Sequence, residues 1–368
     1  MNKKHTLIVL LSSISLLAGY LCLWPVAITP QAWQAPSNAG FIGAFQPNNK
    51  LTGAELLVLG DFTGPEAVVA TVEQGLYVST HEGWILHAPN PEAALEPLIS
   101  TAGRPLGLAL DGFGNLYIAD AYRGLLRFHP DSGLEVVADE FDGQKLGYVN
   151  DVAVSSHGRI YFTDSSAKFG ARANGGTYPA SLLDIMEHGG HGRLFSFDTP
   201  SQTLTEVAHG FNFANGVAVR DGTHESAETV FVNETGNYRV LAFELSDGIV
   251  QSQKTLIDNL PGFPDNLSLA ADGSLWLGLV SSRSELLDKL SASPNLRKLV
   301  QRLPAIIRPK ATHYGMVINM SPEGEVISQL QDPSGAIYTT TGATPWHQYL
   351  YVSRLHGTQL ARLPLDGI

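Results

Sequence analysis

The sequence predicts an all-β chain: a six-bladed β-propeller with helical insertions, preceded by an N-terminal transmembrane helix. Three observations lead to this prediction, namely an uncharged apolar segment near the N-terminus, a strand motif that recurs six times, and two pairs of strands joined by polar turns, at residues 124–139 and 192–208. The chain has 368 residues, of which 44% are hydrophobic and 16% charged. A closed β-architecture of this length can form one domain with a large core.

The N-terminal segment 6–28 contains no charged side chain. About 20 apolar residues cross a bilayer as a helix. Lys3 and Lys4 precede the segment, and no further Lys or Arg appears until Lys50. The positive-inside bias therefore places residues 1–5 in the cytoplasm and the body of the protein outside, in the periplasm or the extracellular space. A cleaved signal peptide with release into the periplasm is the alternative, although no clean small-x-small site follows the apolar core.

Residues 29–50 are predicted to be a linker and residues 51–368 to be the propeller. Within the propeller, a short apolar run introduced by Gly or Asp-Gly recurs six times and contains one aromatic residue each time. Successive aromatic positions are separated by 40, 44, 70, 45 and 75 residues. Repeats of about 40–45 residues with several strands each are typical of propeller blades. The six aromatic residues are Tyr77, Tyr117, Tyr161, Phe231, Trp276 and Tyr351.

The two long intervals indicate insertions between strands. Residues 179–189 are predicted to form a short helix, and residues 282–304 place Leu side chains at helical spacing, with Pro294 dividing them into two helices. Two interpretations of the second insertion remain open. It packs an apolar stripe on the propeller, or it forms a lid over the site or a surface that touches the membrane.

Charge and cysteine content exclude some classes of protein. The net charge is −12 and no basic stripe appears, so a nucleic acid is not an expected partner. The single cysteine, Cys22, lies in the apolar segment, and an intrachain disulfide is therefore impossible.

Acids and amides recur at one position, the turn that enters an innermost strand. Each stands before a short apolar run such as Val-Ala-Val. Turn formation explains Asn and Asp at such places but not Glu. Carboxylate and amide oxygens together are the ligands that Ca²⁺ prefers. The residues at these entries are Glu66, Asn150 with Asp151, Asn215, and Asp265 with Asn266.

Several stretches resemble one superfamily of calcium-dependent six-bladed propellers. They include "GRPLGLALDGFGNLYIADAYRGLLRF", "VNDVAVSSHGRIYFTDSS", "FANGVAV", "VNETGNYRVLAFEL" and "LPGFPDNLSLAADGSLWLGL", and the likeness covers roughly residues 60–360. The superfamily comprises the strictosidine-synthase-like proteins, the adipocyte plasma-membrane-associated proteins, the paraoxonases, the gluconolactonases and diisopropyl-fluorophosphatase. The sequence is most similar to the membrane-associated branch.

This resemblance implies a calcium ion held by Glu66, Asn150, Asn215 and Asp265, with Asn266 as a further ligand. It also implies hydrolysis of a small-molecule ester or lactone, with Asp265 as the catalytic residue, either as nucleophile or as general base. The paraoxonase histidine pair is missing, because Leu106 and Asp120 stand at those positions.

Two other functions remain open. The first is a non-catalytic propeller that calcium stabilises. The second is a strictosidine-synthase-type condensing enzyme, which is disfavoured because no Glu or Asp follows Asp332 in the stretch that ends at Ser353.

Overall fold

Six four-stranded antiparallel sheets form a ring in the computed structural model, which describes residues 3–224, 226–366 and 368. This arrangement confirms the predicted six-bladed propeller. Blade 1 consists of β2 (Val68–Thr71), β3 (Gly75–Ser79), β4 (Trp84–Ala88) and β5 (Glu96–Ser100). Blade 2 consists of β6 (Pro105–Leu110), β7 (Leu116–Asp120), β8 (Gly124–His129) and β9 (Gly133–Ala138).

A short hairpin leads to blade 3, and each of its strands, β10 (Glu140–Phe141) and β11 (Gln144–Lys145), has two residues. Blade 3 consists of β12 (Val149–Val154), β13 (Arg159–Asp164), β14 (Gly192–Asp198) and β15 (Thr203–Phe211). Blade 4 consists of β16 (Ala214–Asp221), β17 (Ala227–Glu234), β18 (Arg239–Ser246) and β19 (Ile249–Ile257). Blade 5 consists of β20 (Gly262–Leu269), β21 (Leu275–Ser282), β22 (Gly315–Met320) and β23 (Val326–Asp332).

Blade 6 joins the two ends of the propeller. It contains β24 (Thr340–Trp346), β25 (Tyr349–Arg354) and β26 (Gln359–Pro364), and its outermost strand is β1 (Glu55–Val58) from the beginning of the domain. β1 pairs with β26 from Glu55 opposite Arg362 to Val58 opposite Gln359. This pairing closes the ring, because a strand from the beginning of the domain completes the last blade and pairs with the edge of β26.

The recurring aromatic residues mark the second strand of each blade. Tyr161 on β13 and Phe231 on β17 are fully buried between neighbouring sheets, and the other four occupy β3, β7, β21 and β25. The predicted hairpin at 124–139 is β8 with β9. The hairpin predicted at 192–208 is β14 with β15, which continues to Phe211.

Innermost strands of adjacent blades approach each other very closely. A Cβ atom at Gly107 on β6 would overlap Asp151 of the next blade, and one at Gly216 on β16 would overlap the backbone at Asp265. Glycine permits this close approach because it carries no side chain. The entries of the innermost strands therefore meet around the central axis.

Within the part of the chain that the structure describes, four α-helices accompany the propeller: α1 (Lys3–Leu23), α2 (Thr177–Glu187), α3 (Glu285–Lys289) and α4 (Pro294–Arg302). The predicted helix at 179–189 corresponds to α2, and Pro294 separates α3 from α4 as predicted, since proline is well suited to the first helical turn. α1 has no buried residue, and it is long and apolar enough to cross a membrane. We call α2, α3, α4 and residues 303–312 the cap.

The segment predicted as a linker packs along the cap. Residues 24–46, which we call the strap, run from α1 past α2 and α3 toward blade 5. The Thr29 amide donates to the Glu187 carboxylate (2.6 Å), and the Trp33 amide donates to the Ser291 carbonyl (3.1 Å). Further along, Arg283 donates to the Pro36 carbonyl (2.6 Å).

One buried cation joins the strap to the cap. Arg297 on α4 is fully buried and its guanidinium donates to carbonyl oxygens of Met186 (2.9 Å), Ser291 (3.2 Å) and Gln31. A guanidinium has five N–H donors and can therefore bind several carbonyls at once. Arg297 holds α2, the α3–α4 turn and the strap in one arrangement.

We expect Arg297→Ala to lower the free energy of unfolding by about 2–3 kcal/mol, because buried carbonyls lose their donor. Urea denaturation in detergent micelles measures this loss, and limited proteolysis should show faster cleavage within the strap. The control is Lys289→Ala, since Lys289 makes an exposed pair with Glu285 on the same helix (2.6 Å) worth at most about 0.5 kcal/mol. Equal stability of the two variants would refute the assigned role of Arg297.

Candidate metal centre

The innermost strands lose regular antiparallel register where the predicted ligands stand. The pairing of β12 shifts within residues 149–152, that of β16 within 214–217, and that of β20 within 264–267. Such bulges redirect side chains and are common beside functional sites. Here they include Asn150 and Asp265.

Polar side chains of other strands hold the backbone of three predicted ligands. In each case a side chain donates to the main-chain carbonyl of a predicted ligand, which fixes that residue relative to the next blade. The donor and acceptor residues are Thr163 and Asn215 (2.6 Å), Asn233 and Asp265 (2.5 Å), and Thr341 and Glu66 (2.6 Å).

The side-chain amide oxygens of Asn150 and Asn215 lack a hydrogen-bond partner among the described residues. Asn150 donates its Nδ2 to Ser165 Oγ (2.7 Å), but its Oδ1 is buried and unpaired. The Oδ1 of Asn215 is buried and unpaired as well. A buried carbonyl oxygen without a donor is costly, so two of them together indicate a missing electropositive partner.

The two carboxylates are buried and affect each other. Glu66 is 3% exposed and Asp265 is 6% exposed. Burial raises the pKa of the Asp265 carboxyl well above its usual range, and the negative charge of Glu66 raises it further. Burial also raises the pKa of Glu66, although Arg104 opposes this effect with its Nη2 lying 3.4 Å from Glu66 Oε2. A divalent cation would stabilise both charged carboxylates.

Asn266 occupies a different place from the other four residues. Its Nδ2 donates to the Glu66 carbonyl (2.9 Å), and its buried Oδ1 is unpaired. Glu66, Asn150, Asn215 and Asp265 line one cavity, whereas Asn266 and Asp151 line a second cavity among the innermost strands. Asp151 accepts from the Val217 amide (2.9 Å), and burial raises its pKa to about 7.

The first cavity has a volume of about 900 Å³ and extends from the four residues at the axis to the cap. Its walls are mostly apolar. Phe213 lines it, and so do residues of the second insertion, such as Leu286 and Leu287. The insertion therefore both packs on the propeller through the buried Leu287 and covers the site.

Sequence reasoning missed two buried residues of the site. Arg104 stands at the entry of β6, and its ion pair with Glu66 depends on a side-chain direction that no spacing reveals. Tyr148 precedes β12 and lines the cavity, and its hydroxyl donates to the Thr177 carbonyl at the start of α2 (2.8 Å). Both lie in stretches with a recognisable blade entry, "GRPLG" and "GYVND".

Asp120 and Leu106, which stand at the positions of the paraoxonase histidine pair, make different kinds of contact. The buried Asp120 carboxylate accepts the backbone amides of Arg104 (2.9 Å), Tyr122 (2.9 Å) and Arg123 (3.1 Å). It therefore holds the turn after β7. Leu106 contributes an apolar wall to the cavity.

The described residues contain no group of three or more His, Cys, Asp or Glu side chains placed to hold a metal ion. The candidate set at the axis contains two carboxylates and two amides, so it falls outside that type of cluster. Amide oxygens are ordinary ligands of Ca²⁺, whereas Zn²⁺ selects His, Cys and carboxylates. The chemistry of the set fits a hard cation such as Ca²⁺.

Comparison with known proteins places the chain in a family. Residues 64–288, more than half of the chain, match the family model described as "SMP-30/Gluconolactonase/LRE-like region". The chain belongs to the SMP-30/gluconolactonase-like family. The predicted family resemblance is thereby confirmed.

Two curated relatives match nearly all of the chain. The adipocyte plasma membrane-associated protein of Rattus norvegicus is 29% identical over 96% of this chain and 96% of its own length. The protein Strictosidine synthase-like 6 of Arabidopsis thaliana is 31% identical over 86% of this chain and 82% of its own. Among solved structures, the calcium-binding protein regucalcin of Agrobacterium tumefaciens shares the fold, with a TM-score of 0.58, 15% identity, and coverage of 84% of this chain and 93% of that one.

We expect calcium to bind this site more tightly as pH rises. The metal requires charged carboxylates, whereas burial raises the pKa of Asp265 and Glu66 and so favours their protonated forms. Calcium binding should therefore release protons, and affinity should increase by up to about tenfold per pH unit for each proton released. Titration calorimetry in buffers of different ionisation enthalpy measures the release. Asp265→Asn should reduce the number of protons released. A calcium affinity that does not depend on pH would contradict the assignment of these carboxylates as calcium ligands.

Proposed function

We propose that this protein is a calcium-dependent hydrolase of esters or lactones, anchored in a membrane by α1 with its propeller outside the cytoplasm. One observation supports this most directly: four buried side chains with oxygen atoms that could bind a metal line a cavity of about 900 Å³ at the propeller axis. The amide oxygens of two of them have no hydrogen-bond partner among the described residues. The family to which the chain belongs bears the name of gluconolactonase.

The ion is proposed to be held by Glu66, Asn150, Asn215 and Asp265, with Asn266 as a fifth ligand. Two carboxylates balance the charge of Ca²⁺, and the amides add neutral oxygens. When bound, the ion supplies Lewis-acid chemistry that stabilises negative charge on a carbonyl oxygen. Regucalcin, which has the same fold, is described as a calcium-binding protein.

Asp265 is the proposed catalytic residue, as nucleophile or as general base. Its carboxylate lies in the cavity wall, and the side chain of Asn215 hydrogen-bonds to it and favours its charged form. The neighbouring Asn233 and Thr235 hold the backbone of Asp265 and Pro264. This support keeps the carboxylate in a fixed position from which it attacks the substrate carbonyl carbon or takes a proton from water.

The cavity walls favour an apolar substrate. Leu106, Phe213 and Phe263 line the propeller side, and α2 contributes Leu182 and Met186. A hydrophobic ester or lactone gains contact area in such a pocket, and its polar carbonyl would be placed near the axis.

Two alternatives have less support. A purely structural ion holds blades together without needing a cavity beside its ligands, whereas here Asp265 lines a large one. A condensing enzyme of the strictosidine-synthase type needs a carboxylate near the entry of the last blade, and the acid that precedes this entry is Asp332 at the end of β23 in blade 5. That carboxylate already accepts from Ser334 (2.8 Å) and from the Ile337 amide (2.7 Å).

We expect Asp265→Asn to lower kcat/KM for aryl acetates and lactones by at least about a hundredfold, because an amide is a much weaker base and nucleophile than the carboxylate it replaces. Glu66→Gln should weaken calcium binding and reduce activity at low calcium, with partial recovery at high calcium. A chelator should abolish turnover of the unmodified chain, and added calcium should restore it.

Asp131→Asn and Glu323→Gln are matched controls, since both carboxylates are largely exposed. They should leave turnover unchanged. Activity that survives both the chelator and Asp265→Asn would refute the proposed site. Calcium binding without any turnover across a panel of esters and lactones would favour the calcium-stabilised scaffold.

A further inference from the structure

The C-terminal end of α1 contacts the cap. Arg302 at the end of α4 donates to the carbonyls of Trp24 (2.6 Å) and Leu21 (3.0 Å), and Tyr20 donates to the Arg302 carbonyl (2.9 Å). The 21 residues of α1 extend over ~31 Å at 1.5 Å per residue, which matches a bilayer core of ~30 Å. Tyr20 and Trp24 therefore lie at the level of the interface, where such aromatic residues are enriched.

The strap prevents α1 from turning away from the cap. Ile28, only a few residues after α1, is 1% exposed and packs with Leu106 and Ala180 in one apolar cluster. The backbone of Thr29 and Gln31 then bonds to Glu187 at the end of α2. Because residues 28–31 are fixed to the cap so soon after α1 ends, the orientation of α1 relative to the cap is restricted. The membrane that α1 enters must lie beside the cap.

The cap exposes apolar side chains at this place. Ile306 is 81% exposed and Ile307 is 62% exposed, directly after α4. Leu286 and Leu296 on α3 and α4 are about half exposed. Adjacent exposed apolar residues on a soluble surface mark a contact with a partner or a membrane.

A local basic run accompanies these apolar residues although the chain as a whole is acidic. No Asp or Glu occurs between Asp288 and Glu323, whereas six Lys or Arg residues lie there. Arg297 is buried, but Lys298, Arg308 and Lys310 are at least partly exposed. Such a mixture of cationic and apolar side chains suits the surface of an anionic bilayer.

The same segment borders the cavity. Ile307, Arg308, Pro309 and Lys310 line it at the cap, whereas Glu66 and Asp265 line it at the axis. We propose that the cap rests on the anionic lipid surface of the membrane that α1 enters, through Ile306, Ile307 and the neighbouring basic residues, so that the cavity opens at the bilayer. A substrate that partitions into lipid then enters the cavity without crossing water.

Depth-dependent quenching tests this contact without reference to activity. The full chain carries Cys22→Ser, an environment-sensitive fluorophore is attached at Ile306→Cys, and the protein is reconstituted in vesicles of phosphatidylcholine with phosphatidylglycerol. Spin-labelled lipids should quench the fluorophore at position 306. The matched control is Phe113→Cys, because Phe113 is 83% exposed in the turn between β6 and β7, at the opposite end of the propeller. The label there should not be quenched.

Equal quenching at positions 306 and 113 would overturn the proposal. So would energy transfer between labels at 306 in dilute detergent, since that outcome shows a second copy of the chain covering the patch. Omission of phosphatidylglycerol should weaken quenching at 306, and the combined variant Lys298→Gln, Arg308→Gln, Lys310→Gln should remove this dependence on lipid charge. An unchanged dependence in that variant would refute the part assigned to these cations.

A second measurement concerns substrate entry and rests on the proposed hydrolase function. Ile306→Asp should lower kcat/KM about tenfold for an ester dissolved in the vesicle membrane and leave a water-soluble aryl ester unaffected. Equal effects on the two esters would refute entry from the bilayer. Absence of all activity would refute the hydrolase and leave the quenching result to decide the membrane contact.

Discussion

The close approach of the innermost strands is the constraint on which the site depends. At Gly107 and Gly216 the next blade lies so near that no Cβ atom fits, and the strand entries are forced together around the axis. The bulges at these entries then direct side chains toward the axis instead of into the sheets. Residues separated by two hundred positions, such as Glu66 and Asp265, become neighbours through this geometry.

The repeat explains how much of this arrangement the sequence could predict. A blade is a local unit with one recurring aromatic residue on its second strand, so a spacing of about 40 residues identifies blades without any knowledge of contacts. Ring closure then makes equivalent positions neighbours in space. For that reason the set Glu66, Asn150, Asn215 and Asp265 followed from comparing blade entries. The number of blades and the two helical insertions followed from the same regularity.

The strap and the cap lacked such a regularity. Residues 24–46 have neither strand nor helix periodicity, and their order comes from long-range bonds to Glu187, Ser291 and Arg297. Arg297 is a basic residue in a helix whose sequence is amphipathic, yet it is fully buried. Arg104 presents the same difficulty, since its partner Glu66 belongs to the preceding blade. Contacts of this kind depend on the assembled ring, and no local pattern encodes them.

The surroundings of the two axial carboxylates differ, and the difference bears on their roles. Arg104 lies beside Glu66 and partly compensates its charge in the absence of a metal. Asp265 has the amide of Asn215 beside it, and burial together with Glu66 keeps its pKa high. A carboxylate with a permanent cationic partner is a weak base and a poor nucleophile, whereas one without such a partner keeps its reactivity. This asymmetry favours Glu66 as a ligand that anchors the ion and Asp265 as the residue that reacts.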